Sequence, residues 1–171
     1  MRKIVLICLM FVAVSAQAQQ IDLQSLDKLA AKASEKTQVD LNEALLKLGA
    51  AFLSDKNPEE SAGKKVIDGL KAVYVRTFQF EKEGAYSIAD LQPIRDQLKA
   101  PQWNRVVSVD EGKELTEVWM YRMGEDSGGM LILAAEPNEL TVVNIVGTLN
   151  AADLAALAGQ FGIPKLGIPK K

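Results

Sequence analysis

The stretch that decides the fold is WNRVVSVDEGKELTEVWMYRMGEDSGGMLILAAEPNELTVVNIVG, residues 103–147. It contains four runs rich in residues that favour strands, at 103–109, 115–123, 130–135 and 140–146. The connectors between the runs are short and carry turn residues, such as Pro137-Asn138, which suits the centre of a type I turn. We therefore predict that the four runs pair in succession as an antiparallel meander.

Three segments between residue 58 and the meander also have patterns that predict secondary structure. Residues 70–80 are rich in Val, Tyr, Thr and Phe, which predicts a first strand. Asp90 is a candidate cap for a helix that carries Leu91, Ile94 and Leu98. A short helix is predicted from Pro58 toward Asp68, because a proline followed by acidic residues is typical of a helix start.

The segment from residue 21 to residue 53 has helical apolar spacing, which predicts two amphipathic helices. Thr37 and Asp40 are candidate N-caps of the second helix. The two apolar stripes consist of Leu23, Leu26, Leu29, Ala30 and Ala33, and of Leu41, Ala44, Leu45, Leu48 and Phe52.

The segment after the meander predicts a last helix through Ala158, capped by Thr148 or Asn150 and ended by Gly159. The sum is an α+β fold: an N-terminal helical pair or triple, then a strand, a helix, the four-stranded antiparallel meander and a helix. We expect the helices to pack on a mainly antiparallel sheet, because the strands are gathered in one run.

The run 115–123 has no clearly polar face. Leu115, Trp119 and Tyr121 alternate onto the same face as Glu117, and Val118 lies on the other face. We expect helices over one face and partial cover of the other, for example by the N-terminal helical pair.

The N-terminus has the pattern of a secretory signal peptide. Arg2 and Lys3 precede 11 unbroken apolar residues at 4–14, and Ala16-Gln17-Ala18 forms a cleavage site, so cleavage is expected before Gln19. The apolar run is shorter than the roughly 20 residues that cross a membrane. Cys8 follows Ile7 rather than a small residue, which disfavours a lipid anchor.

These features divide the chain into a cleavable signal peptide at 1–18, one α+β domain at 19–159 and a tail at 160–171. We expect an exported protein, periplasmic or secreted, with no stable membrane span after cleavage.

The composition restricts the chemistry. The full chain has 20 Lys+Arg, 22 Asp+Glu and no histidine. Cleavage removes two basic residues and the single cysteine, which leaves a net charge of −4 and no possible disulfide. The lack of histidine removes the commonest general base and metal ligand, and the acidic balance disfavours nucleic-acid binding. No cofactor is predicted.

Two apparent motifs fail. Asp126-Ser127-Gly128-Gly129 matches the segment around the nucleophilic serine of trypsin-like proteases, but that mechanism needs a histidine. A glycine-rich hairpin loop with positive φ angles is the preferred interpretation. The segment 61–65 lacks the spacing of a phosphate loop, because position 58 is proline and position 65 is lysine, so a solvated helix face is expected.

Several polar and aromatic residues have both a structural and a functional interpretation. Carboxylates pair in predicted turns at Asp110/Glu111, Glu125/Asp126 and Glu136/Glu139, where solvation is favoured over catalysis or metal binding. Asn144 interrupts an apolar run and is expected to pin a neighbouring loop by hydrogen bonds. The residues that would line a groove, or form core and cross-strand pairs, are Tyr74, Arg76, Trp119 and Tyr121.

The tail contains a five-residue unit written twice, FGIPK and LGIPK, at 161–170. It cannot continue a helix, and it can pack on its own domain, lie along a sheet edge or engage a partner. Its candidate interaction residues are Phe161, Ile163, Pro164, Leu166, Ile168 and Pro169.

The order of segments also resembles a known family. The segments that carry the resemblance include 73–76 with 78–80, 95–98, 136–145 and 157–164. Together they are similar to the bacterial family called domain of unknown function 4252 over nearly the whole chain after residue 18. The resemblance implies a secreted or envelope protein of Gram-negative bacteria and brings no established activity or site residues.

The leading functional hypothesis is a non-enzymatic binding or interaction module of the periplasm or envelope, with an unidentified envelope protein or small ligand as partner. A carrier of a small apolar ligand, held between the sheet and the N-terminal helices, is the first alternative. A hydrolase that uses carboxylates is the second, and it would need two acidic side chains that converge in one cleft.

Overall fold

The computed structural model describes residues 19–124 and 126–149. Its elements are, in chain order, a 3-10 turn Gln24–Leu26, α1 Asp27–Ala30, β1 Glu35–Asn42, α2 Glu43–Ala50, α3 Pro58–Gly69, β2 Leu70–Gln79, a 3-10 turn Ile88–Leu91, α4 Gln92–Gln97, β3 Trp103–Asp110, β4 Leu115–Met123, β5 Asp126–Ala135 and β6 Glu139–Leu149. The predicted last helix and the tail lie outside the described residues. Of the two candidate caps of that helix, Thr148 belongs to β6.

The strands form one antiparallel sheet in the order β1-β2-β6-β5-β4-β3. The α+β class is therefore confirmed, but the sheet has six strands and is larger than predicted. β6 is central: it pairs with β2 on one side and with β5 on the other. The antiparallel pair of β1 and β2 is joined to the β3–β4–β5 meander through β6.

The strand β1 was missed by the sequence analysis, which predicted helix here. Its sequence EKTQVDLN is polar and most of its side chains are exposed, because β1 is an edge strand that pairs only with β2 among the described strands. Thr37 and Asp40 lie inside β1, so neither caps a helix. The cap of α2 is Asn42, whose side chain accepts a hydrogen bond from the Leu45 backbone N–H.

One face of the sheet, which we call the strap face, is covered by residues 19–30, the strap, and by α4 with its preceding turn. The strap contributes Leu23, Leu26 and Leu29 to the core, as their predicted apolar stripe indicates, although the chain is helical only from residue 24 to residue 30. The other buried side chains of this face include Leu91, Ile94, Leu98, Leu131, Leu133, Leu140 and Val142.

The opposite face, which we call the helix face, is covered by α2 and α3. Leu46 of α2 and Val66 of α3 pack on a cluster from the sheet that contains Val118, Ile132 and Val143. The two predicted N-terminal helices were expected together, but they lie on opposite faces, because β1 separates them and enters the sheet. Glu117 and Val118, which lie on opposite faces of β4, are both buried.

The helical segment before β3 begins at a different N-cap from the predicted Asp90. Ser87 is the N-cap, and Asp90 completes a capping box with it: the Asp90 carboxylate accepts from the Ser87 backbone N–H at 2.8 Å. Pro93 lies in the first turn of α4, where its missing N–H costs no helical hydrogen bond.

The junction of α3 with β6 requires glycine. Gly147 has a φ of 140°, and a Cβ at this position would lie 2.4 Å from the backbone oxygen of Gly69. This close approach sets the end of β6 directly against the turn from α3 into β2. Within the described residues, no helix is long and apolar enough to cross a membrane.

Candidate functional site

The predicted interaction tail, Phe161, Ile163, Pro164, Leu166, Ile168 and Pro169, lies outside the described residues, as do the predicted signal peptide and cleavage site. The candidate surfaces described below are therefore those of the folded domain.

The amide of Asn144 acts as the sequence predicted. It is fully buried in β6, and its Oδ1 accepts a hydrogen bond from the Ile21 backbone N–H at 3.0 Å. Its Nδ2 donates to the backbone oxygens of Met130 at 3.2 Å and of Gln19 at 3.3 Å. Two of these hydrogen bonds, to Ile21 and Gln19, pin the start of the strap to the middle of the sheet, and the third joins Asn144 to β5, so the amide has a structural role.

The segment 126–129 is part of β5 and not a hairpin loop, so that prediction is wrong. Neither Gly128 nor Gly129 has a positive φ angle; the turn conformation is at Gly124, with a φ of 69°. Glycine is needed at 129 because a Cβ there would lie 2.6 Å from the Ile145 oxygen. The Ser127 hydroxyl is buried and donates to the Gly129 backbone oxygen at 3.0 Å, as expected of a structural serine.

A buried ion cluster surrounds Glu117 on the strap face of β4. Glu117 is 1% exposed, and its carboxylate accepts hydrogen bonds from Arg95 at 2.9 Å, from Arg105 at 2.9 Å and from the Trp119 indole N–H at 3.2 Å. The Arg105 guanidinium also lies 5.5 Å from the centre of the Trp119 ring. Every oxygen of the carboxylate is occupied by protein donors, so the cluster is suited to fix α4 and β3 on β4 and not to act on a substrate.

Glu117 was not predicted as a site, although its apolar neighbours on one face of β4 were evident from the alternation of residues 115–123. The sequence signal that could have identified Glu117 is a charged side chain at a strand position whose neighbours on the same face are apolar, since a buried charge needs partners. The partners themselves come from α4 and β3, and the sequence gives no spacing that brings them together.

Tyr74 and Arg76, which were candidates for a groove, line a shallow polar cleft of about 310 Å³ between the strap and the β1–β2 edge. Arg76 donates to the Asp40 carboxylate at 2.6 Å, and this hydrogen bond holds the pKa of Asp40 below its usual value. Tyr121 packs edge-on against Trp103 and is a cross-strand core pair.

A second cleft, of about 370 Å³, lies at the turn end of the sheet, where the 80–88 loop meets the β3–β4 and β5–β6 turns. Glu83 and Glu136 both line this cleft, together with Lys113, whose ammonium group lies 2.8 Å from the Glu83 carboxylate. Two acids therefore border one cleft, but one of them is held in an exposed ion pair. Among the described residues, no group of three or more acidic side chains is arranged to hold a metal ion.

The wall of this cleft is rigid because Tyr86 is anchored beneath it. The Tyr86 hydroxyl donates to the backbone oxygens of Glu136 and, at 2.7 Å, of Glu139, and the ring stacks on Phe80. Burial raises the pKa of Tyr86 to about 12. Two of the other predicted turn carboxylates, Asp110 and Glu111, are exposed, and Asp110 accepts from the Gly112 backbone N–H in its turn.

The most unusual surface is on α2. An amphipathic helix ordinarily turns its apolar stripe to the core, but here Leu46 and Ala50 are the buried residues of α2, and three members of the predicted stripe are exposed. Leu45, Leu48 and Phe52 are 47%, 58% and 82% exposed, and we call these three residues the α2 stripe. Leu45 and Leu48, three residues apart, lie on one side of α2, and Phe52 follows in the turn after the helix.

The other large exposed apolar side chains, Val106, Val109 and Met123, are on β3 and at the end of β4. Scattered apolar residues are normal on protein surfaces, whereas a contiguous row that includes an exposed phenylalanine is typical of an interaction site.

The carrier alternative would place a ligand between the sheet and the N-terminal segment. Between the strap and the sheet, Leu26 and Leu29 are at most 2% exposed and belong to the same packed cluster as Leu131 and Leu133.

Comparison with known proteins gives one finding. The family model described as Domain of unknown function (DUF4252) matches residues 31–157. The match covers most of the chain, starts after the strap and extends eight residues beyond β6. No curated protein and no solved structure matches the chain.

Proposed function

The chain belongs to the family described as Domain of unknown function (DUF4252), and on this premise we propose that it is an exported, non-enzymatic interaction module of the cell envelope that binds a partner protein through the α2 stripe. The observation that carries the proposal is the outward orientation of Leu45, Leu48 and Phe52. Burial of such side chains is worth about 1.5–3 kcal/mol each, so a protein partner with an apolar surface would gain affinity there.

The ionisable groups support a non-enzymatic role more than a catalytic one. The buried carboxylate of Glu117 is fully engaged by arginine and tryptophan, and Glu83 in the turn-end cleft is paired with Lys113. A general acid or base would have to be free to exchange a proton with a substrate.

The stripe is also separate from the parts that hold the fold. Because Leu46 and Ala50 are the buried residues of α2, and Leu46 packs on the sheet, changes to the exposed residues should leave the domain folded. That separation makes a clean test possible.

The test is affinity capture from periplasmic extract with the chain from Gln19 to Lys171, with and without the tail 160–171. The double variant Leu48→Lys/Phe52→Lys should lose a partner that the unchanged protein enriches. The matched control is Val106→Lys/Val109→Lys, which makes the same chemical change at exposed valines of β3.

The enriched protein is then purified and titrated by calorimetry against all forms. We expect a loss of affinity of at least tenfold for the α2 variant and little change for the β3 variant. Equal binding by both variants would refute the role of the stripe, and a loss confined to the tail deletion would assign the binding to the tail. An intact-mass measurement of the exported protein tests cleavage before Gln19 separately.

A further inference from the structure

The cleft at the turn end of the sheet has the features of a second binding site. We propose that it binds a small organic ammonium ion, that is, a primary amine carried on a short apolar body. This inference is independent of the proposed function, because β1 begins at the turn end and α2 follows its last residue at the opposite end of the sheet.

The size and the floor of the cleft suit a small molecule with an apolar part. Its volume of about 370 Å³ lies in the range of small-molecule sites, which begins at about 300 Å³. Tyr86, Ile88 and Ala135 contribute apolar surface to the lining. Tyr86 is held in place by the hydrogen bonds of its hydroxyl and by its stacking on Phe80. The apolar part of a ligand would therefore meet a surface that is already formed, which lowers the cost of binding.

The charge at this end of the sheet favours a cation. The segments that meet there, residues 80–88, 110–114 and 135–139, carry seven carboxylates and two lysines, a net charge of −5. The complete chain has a net charge of only −2, so acidic charge is concentrated at the turn end. Its effect reaches the cleft: burial is the main cause of the raised pKa of Tyr86, and the charges of Glu136 and Glu139 raise that pKa further.

The chain itself places one alkylammonium group at this cleft. Lys113 donates to the carboxylate of Glu83 at 2.8 Å, from 30 residues away in the sequence. Both side chains are largely exposed, so the ion pair is weak and exchanges readily with a competing cation.

A second carboxylate is available beside this ion pair. Glu136 lines the same cleft and is exposed, and its carboxylate has no hydrogen bond or ion pair with any residue that the structure describes. A ligand with an ammonium group would therefore meet one unpaired carboxylate and a second one, Glu83, whose partner is easily displaced.

The test titrates hexylammonium into the 15N-labelled chain from Gln19 to Lys171. We expect shifts of the amide signals of Gly84 and Gly112, which line the cleft, and little shift at Gly49 of α2. Three compounds separate the parts of the probe: hexanol has the apolar body without the charge, hexanoate has the opposite charge, and methylammonium has the charge without the body. Each should bind at least about fivefold more weakly than hexylammonium.

Two substitutions at the cleft have opposite expected effects. Glu136→Gln removes the unpaired carboxylate and should weaken hexylammonium binding about threefold, whereas Lys113→Gln removes the competing cation and should strengthen it by about the same factor. The matched controls, Glu43→Gln and Lys47→Gln, remove the same charges from an exposed ion pair on α2 and should leave the affinity nearly unchanged.

Three results would overturn the proposal. Equal affinity for hexanol would mean that the cleft is only an apolar patch. Equal effects of the cleft variants and the α2 controls would mean that binding follows the net charge of the protein and not this site. Unshifted signals of Gly84 and Gly112 in the presence of hexylammonium would mean that the cleft does not take the ligand.

Discussion

The strap face and the helix face of the sheet present different chemistry at matching positions. On the helix face, Val118, Ile132 and Val143 stand side by side on β4, β5 and β6. Glu117, which precedes Val118 in β4, points to the strap face and forms the buried ion cluster. Asn144, which follows Val143 in β6, also points to the strap face and carries the buried amide.

This difference shows which interactions determine the position of the elements that cover each face. Apolar burial is non-directional, so it favours packing of α2 and α3 on the sheet without selecting one particular set of contacts. The polar groups of the strap face accept only partners with the right geometry, so they fix where the strap and α4 sit. The predictions below test whether this contrast is real.

The largest effect is expected for Glu117→Ala, which leaves Arg95 and the Trp119 indole without their buried acceptor. We expect a loss of about 3–5 kcal/mol in the free energy of unfolding, measured by urea titration. Glu43→Ala, which removes a carboxylate from an exposed ion pair with Lys47, is the control and should change stability very little. Equal effects would contradict the special role of the strap-face cluster.

Asn144→Ala is next, because it removes the partner of the Ile21 N–H and of the Met130 carbonyl. We expect a loss of about 2–3 kcal/mol, together with faster hydrogen exchange at Ile21. Asn104→Ala, at an exposed position of β3, should stay within about 0.5 kcal/mol. Unchanged exchange at Ile21 would show that the strap is held by its apolar side chains alone.

Tyr86→Phe removes the hydroxyl that donates to Glu136 and Glu139, and we expect a loss of about 1 kcal/mol at neutral pH. The pKa of Tyr86 is about 12 in the folded protein and about 10 when unfolded. The unfolded chain therefore releases this proton first, and stability that is present below pH 10 is lost as the pH rises toward 12. Urea midpoints between pH 8 and pH 11 should fall less steeply in Tyr86→Phe, and parallel curves would argue against this assignment.

The smallest effect is expected on the outward side of α2. Leu48→Ala should change the free energy of unfolding by about 0.5 kcal/mol or less, because the side chain is 58% exposed. Leu46→Ala, on the inward side of the same helix, should cost about 2 kcal/mol or more. Thermal or urea unfolding of the two variants compares them directly, and a costly Leu48→Ala would mean that the α2 stripe is part of the core.

The contrast between the faces also explains what the sequence could and could not predict. The strands β2 to β6 and helix α3 were found because their patterns and turn residues are local. The need of Asn144 for hydrogen bonds was predictable, since an amide in an apolar run must be satisfied. Its partner Ile21 was not, because 123 residues separate the two.

Two errors have a common cause. β1 has no apolar alternation strong enough to distinguish it from the start of the helix that follows, and its strand structure comes from pairing with β2. The orientation of α2 depends on where that strand ends, so the sequence pattern identified the helix but not the side that faces the sheet. In both cases tertiary contacts decided between local alternatives.

The central position of β6 has a consequence for when the domain can form. β6 ends at residue 149 of 171 and is the strand through which the β1–β2 pair meets the β3–β4–β5 meander. Contacts of such high sequence separation form late and slowly. A chain that emerges from its N-terminus would therefore hold two incomplete halves of the sheet until nearly all of it is released.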